Sequence, residues 1–209
     1  MWDLPTRVFH WTLASCVVGA IVTAQIGGHW IDWHLRLGVA TLALLAFRLV
    51  WGLVGPRYAR FSALLLKPST VVADFRGRSA TRHVGHSPSG SLAVVCMLGV
   101  LAIQATAGLF SSDSISTEGP LAHLVGEASI EWATWLHLKL QWVIYVVIGL
   151  HLLAIVAYLV IKKENLVTPM LGGFKADLRA PHAADSWATR LAGLLLLTAF
   201  GAAAFWWLR

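Results

Sequence analysis

Charge is scarce in this chain of 209 residues. Asp, Glu, Lys and Arg make up 12% of it, against 57% hydrophobic residues and a mean hydropathy of +0.70. So little charge on so apolar a polypeptide excludes an ordinary soluble domain and places most of the chain in a membrane. Cysteine is almost missing as well: Cys16 and Cys96 both fall inside apolar runs, which rules out a disulfide framework. Internal repeats and low-complexity tracts are absent. Basic residues are absent from one whole segment, Ser111 to Glu131, which carries Asp113, Glu118, Glu127 and Glu131.

What is present is length of apolar run. Five stretches, near Val8 to Ile26, Leu35 to Val54, Leu92 to Phe110, Ala133 to Ile161 and Ala188 to Leu208, match the roughly 20 residues of helix that cross a hydrocarbon core. Uninterrupted runs favour helices over an alternating barrel pattern, because a spanning helix satisfies its own backbone hydrogen bonds. The expected fold is an all-α integral membrane protein, a four-helix bundle with a fifth C-terminal transmembrane helix. The first run has the look of a signal peptide, with Arg7 before it and Val22-Thr23-Ala24 at its end, but cleavage would remove His10.

The formal charge of +6 would suggest nucleic acid in a soluble protein, whereas here the basic residues segregate by loop. Arg57, Arg60, Lys67, Arg76, Arg78 and Arg82 stand against Asp74 between the second and third runs; Lys162, Lys163, Lys175 and Arg179 follow the fourth. The positive-inside rule makes those loops cytoplasmic and the acidic segment external. Five spans then put the N-terminus inside and Arg209 outside, with Trp206 and Trp207 in the outer interfacial belt. Between Gly55 and Gly90 a structured cytoplasmic loop is expected. Its stretch Ser69 to Arg78 suits a short interfacial helix with Val71, Val72 and Phe75 toward headgroups, or else a solvated basic loop near anionic lipid.

Histidine carries the chemistry. His137 and His151 lie fourteen residues apart in one run, TWLHLKLQWVIYVVIGLHLLAIVAYLVI, which is about 21 Å of helix and nearly four whole turns. The two imidazoles therefore share a face at two depths, and ionisable groups inside a span usually face a cofactor or a protein interior. His10, at the cytoplasmic start of the first span, matches the depth of His151. His34, at the outer start of the second, matches His137. Facing helices of a bundle build cofactor sites in this way, so the spacing suits two bis-histidine haems stacked across the bilayer. With no Cys-x-x-Cys-His motif, such haems would be non-covalent.

Arg48 lies fourteen residues after His34, on the same face at the inner depth. It has two readings: a bidentate donor to a haem propionate, or a side chain snorkelling to the headgroups. Arg36 could serve the outer centre in the first manner, while Lys139 is read as snorkelling outward. Gly38 and Gly149 leave room for a porphyrin face, or for close helix packing. His29 and His123 belong to outer loops and His83, His86 and His182 to cytoplasmic segments, with His83 and His86 the candidates for a quinone or propionate contact.

Several strings together carry a resemblance: WDLPTRVFHW, WHLRLG, FRLVWGLVGPRYARF, HVGHSPSG, HLKLQWVIYVVIGLH and KKENLVTPMLGGFK. Across roughly its first 175 residues the chain resembles the bacterial cytochrome b561 and nickel-iron hydrogenase b-type cytochrome family. The resemblance implies a domain over 1–175, with 176–209 as linker and fifth span, two non-covalent b haems on His10, His34, His137 and His151, and quinone reacting near the inner haem among His10, Arg48 and the segment from Arg82 to Ser89. It also implies electron exchange with a redox partner, either a periplasmic cytochrome c or an oxidoreductase subunit, in a bacterial inner membrane. Superoxide oxidation at the outer haem is a variant seen in some relatives. The rival classes are a metal or proton transporter using the histidines as a relay, which predicts no haem, and a structural anchor, which predicts tolerance of histidine substitution.

Overall fold

The computed structural model describes residues 2–64, 66–76, 85–173 and 185–207, with the side chain of Phe75 excepted. Helices α1 (Leu4–Ile26), α2 (Ile31–Val54), α3 (Pro68–Phe75), α4 (Pro88–Leu109), α5 (Glu127–Val160), α6 (Val167–Gly172) and α7 (Trp187–Trp207) follow in order. Five of them, α1, α2, α4, α5 and α7, are long and apolar enough to span a membrane. The arrangement is the expected all-α membrane bundle.

Local chemistry sets the ends. Asp3 caps α1 by accepting from the Thr6 amide at 3.0 Å, and Pro5 occupies the first turn, where its missing N–H costs nothing. The helix therefore begins four residues before the apolar run. It stops at Gly27, whose φ of +69° is the left-handed region that glycine enters without penalty. Ser87 caps α4 through the Gly90 amide. The acidic segment is shorter than the expected loop, because α5 already starts at Glu127 and includes Glu131. The remainder is a compact turn in which Asp113 accepts from the amides of Ile115, Ser116 and Thr117, holding its carboxyl well below the usual range. Most of the stretch Ser69 to Arg78 falls in a short helix, α3, on which Val72 is exposed. Arg78, Arg82, His83, Lys175, Arg179, His182 and Arg209 lie outside the described residues.

Helix α1 packs along α2, α4 along α5, and α7 against the outside of α2. Phe9, Leu13, Cys16 and Val17 of α1 meet Leu44, Phe47 and Trp51 of α2 and Ala59 in the buried core, and Leu196, Leu197 and Phe200 of α7 close over it. Two glycines permit the closest approaches. A Cβ on Gly52 would stand 2.2 Å from the Phe61 ring, and one on Gly193 would stand 2.3 Å from Pro5. Large apolar side chains on α5 and α7, among them Leu150, Leu153, Leu194 and Leu195, remain exposed on the outer surface, as lipid contact requires. The end holding Arg7, Arg57, Arg60, Lys162 and Lys163 is the basic end; Asp113, Glu118, Glu127 and Glu131 mark the acidic end.

Candidate haem sites

The structure brings His10 of α1 to His151 of α5, ring centroids 6.5 Å apart, and His34 of α2 to His137 of α5, centroids 5.9 Å apart. An imidazole nitrogen reaches a transition metal at about 2 Å, so two rings bound to opposite sides of one metal have centroids about 6 Å apart. Both pairs have that separation. Among the described residues, no three His, Cys, Asp or Glu side chains gather to hold a metal ion. Each pair can supply two ligands and leaves four positions to be filled, which a planar tetrapyrrole does and a bare-ion site does not.

At the acidic end the ring orientations are set by backbone. His34 Nδ1 donates to the Ala20 carbonyl and His137 Nδ1 to the Gln104 carbonyl, each at 2.9 Å, which fixes the tautomer and leaves both Nε2 lone pairs free for metal. Helix contact makes these bonds possible. Gly19 admits Leu37, to which a Cβ would stand 2.9 Å away, so α2 lies close enough for His34 to reach α1. Gly108 faces the His137 ring, where a Cβ would stand 2.9 Å from Cε1 and 3.1 Å from Nδ1.

The basic end is built from different parts. His10 Nδ1 and Arg48 Nη1 are buried with no hydrogen-bond partner. Arg48 is only 4% exposed and lies over the Phe61 ring at 4.8 Å, so it stays in the protein interior and does not snorkel. A buried guanidinium nitrogen without an acceptor fits an anionic group such as a propionate. Asp3 is fully buried nearby, but its carboxylate already accepts from Thr6 and from Trp51 Nε1 at 3.0 Å. His86 packs against Trp2 with centroids 4.5 Å apart; loss of water around the ring, then the charge of Arg48, lowers its pKa to about 4. Arg7 and Trp11 donate to the carbonyls of Leu171 and Met170, pinning α6 beside His10.

Other expected residues are placed differently. Arg36 is exposed with its guanidinium 5.4 Å from the Trp33 ring centre, and the structure gives it no hydrogen bond. At Gly38 and Gly149 an added Cβ would meet nothing within 4 Å, so close helix packing does not account for either glycine. Gly149 borders an apolar cavity of about 310 Å³ between α1 and α5, lined also by Val18, Ile21, Val22, Tyr145 and Ile148. Sequence reasoning missed Asp3, Trp51, Gly108 and the carbonyls of Ala20 and Gln104. A cap signal, Asp before Leu-Pro, could have revealed Asp3; backbone acceptors carry no residue signature.

A helical membrane bundle with two pairs of facing imidazoles at two depths suits a membrane cytochrome of b type. The chain belongs to the prokaryotic cytochrome b561 family, which it matches over residues 1–173. It is similar to the probable Ni/Fe-hydrogenase B-type cytochrome subunit of Azotobacter vinelandii, 22% identical over 213 residues that cover 84% of this chain and 87% of the relative. No solved structure matches. Family membership makes this a multi-pass membrane protein that transfers electrons through haem b.

Proposed function

We propose that this chain carries electrons across a bacterial inner membrane through two b haems, one on His10 and His151 and one on His34 and His137, linking quinone to an external redox partner. The observation that carries the reading is the ladder: two imidazole pairs, each with centroids about 6 Å apart, separated by fourteen residues of a single helix. A b haem supplies a delocalised centre that changes oxidation state where an isolated charge would be costly. The chain's own residues hold and orient that centre. His34 and His137 present a fixed nitrogen, Arg48 offers a buried donor to a propionate, and the apolar walls of α1, α2, α4 and α5 exclude water.

The basic end is the cytoplasmic end in this reading, by the positive-inside rule, which puts the N-terminus inside and the end of α7 outside. Quinone would react there, near His10, Arg48 and the segment before α4 that holds His86. The partner would dock at the acidic end; the name of the Azotobacter relative favours a redox enzyme subunit there, with a basic cytochrome c as the other possibility. Residues 1–175 would form the electron-transfer domain, with 176–209 as a linker and fifth span.

A pyridine haemochrome assay on the purified protein, normalised to protein, tests the reading. Two b haems per chain are expected, falling to one or none in His137→Ala and in His10→Ala. Unchanged haem content in both variants would overturn it.

A further inference from the structure

The two pairs differ in what holds their rings. At the acidic end both imidazoles donate Nδ1–H to helix carbonyls. At the basic end His10 Nδ1 is buried without a partner, and among the described residues none makes a hydrogen bond to the His151 ring. A ligating histidine that donates its second N–H becomes more basic, and a more basic ligand stabilises the oxidised metal. That lowers the reduction potential of the centre it binds.

Charge acts in the same direction. Arg48 follows His34 by fourteen residues on α2, the interval that separates His137 from His151 on α5, so it lies at the depth of the basic-end pair. Its guanidinium is buried in low dielectric, where a cation favours the centre that gains an electron. The corresponding arginine at the other end, Arg36, is exposed and lies against Trp33, outside the buried interior that holds Arg48.

Building on the two-haem reading, we infer that the acidic-end site is the lower-potential one and the basic-end site the higher. Gly108 is a positioning residue for this order. Its missing side chain lets His137 stand against α4 and reach the Gln104 carbonyl, and a Cβ there would push on the ring at Cε1 and Nδ1.

The test is an equilibrium redox titration of the purified full chain, followed by the optical bands and the low-spin iron resonances. Two one-electron waves are expected in the wild type. His10→Ala should abolish the higher wave. Arg48→Gln should move the higher wave down and leave the lower in place, while Arg48→Lys, which keeps the charge, should restore it. Gly108→Ala should move the lower wave up. Loss of the lower wave in His10→Ala, or an Arg48→Gln shift confined to the lower wave, would overturn the inference, whether or not Gly108→Ala retains its haems. Fewer than two haems per wild-type chain would instead overturn the two-haem reading beneath it.

Discussion

The α1–α2 hairpin and the α4–α5 hairpin solve different problems. In the most apolar stretch of α2, 44% of residues are buried, against 6% in that of α5, and the buried members of the main core cluster lie on α1, on α2 or just beyond at Ala59. Yet α5 contributes one histidine to each pair. Lipid tails are as apolar as leucine, so nothing hydrophobic drives one hairpin against the other within the bilayer. Contacts that cross the seam include the imidazole pairs, the hydrogen bond from Gln25 Nε2 to the Tyr145 hydroxyl at 3.2 Å, Leu98, Leu101 and Ile148 against the α1–α2 core, the approach of α2 to α4, and the junction of His86 with Trp2. The first hairpin is held by dense protein packing; the second meets it through fewer buried side chains, so a cofactor held at the imidazole pairs would add to what joins them.

Withholding haem breaks this comparison most strongly. Hydrogen exchange on haem-depleted protein in detergent should quicken by about ten-fold or more across α4 and α5, while the middle of α1 and α2 changes far less. Uniform loosening of all four helices would mean that the first hairpin also depends on cofactor. Gly52→Leu perturbs the opposite half. The new side chain must displace the Phe61 ring, an overpacking that costs about 1–3 kcal/mol. Denaturant midpoints should fall accordingly while the haem absorbance persists. The junction of His86 with Trp2 is read through pH. Because His86 has a folded pKa of about 4 against an ordinary 6.5, the unfolded chain binds a proton first as pH falls. Stability should then be undiminished above pH 6.5 and decline from there toward pH 4, by up to about 3 kcal/mol. His86→Gln should flatten that part of a melting curve series.

The sequence made the spans legible because lipid imposes length and hydropathy on a helix, and it made the histidine depths legible because fourteen residues close on almost four turns. It did not reveal the ends. The first helix starts early on an Asp3 cap that the apolar run excludes, and α5 starts early on polar turns beyond the hydrocarbon. Arg48 was legible by register but not by environment, since only the fold shows Phe61 covering it. The carbonyls of Ala20 and Gln104 were invisible, because any residue presents the same acceptor and only helix contact selects one. Gly38 and Gly149 stood out by their nearness to histidines, whereas Gly108 precedes its histidine by twenty-nine positions and meets it only across the helix pair.

One long rod carries a histidine of each imidazole pair, and this makes α5 a ruler. Each residue turns the helix by about 100° and lifts it about 1.5 Å, so one residue gained or lost between His137 and His151 would swing an imidazole out of its pair. Trp142, Val146 and Leu150 face outward and can change identity among apolar side chains at little cost. What descent must preserve along this stretch is a count: the thirteen positions between the two histidines admit new letters but no new length.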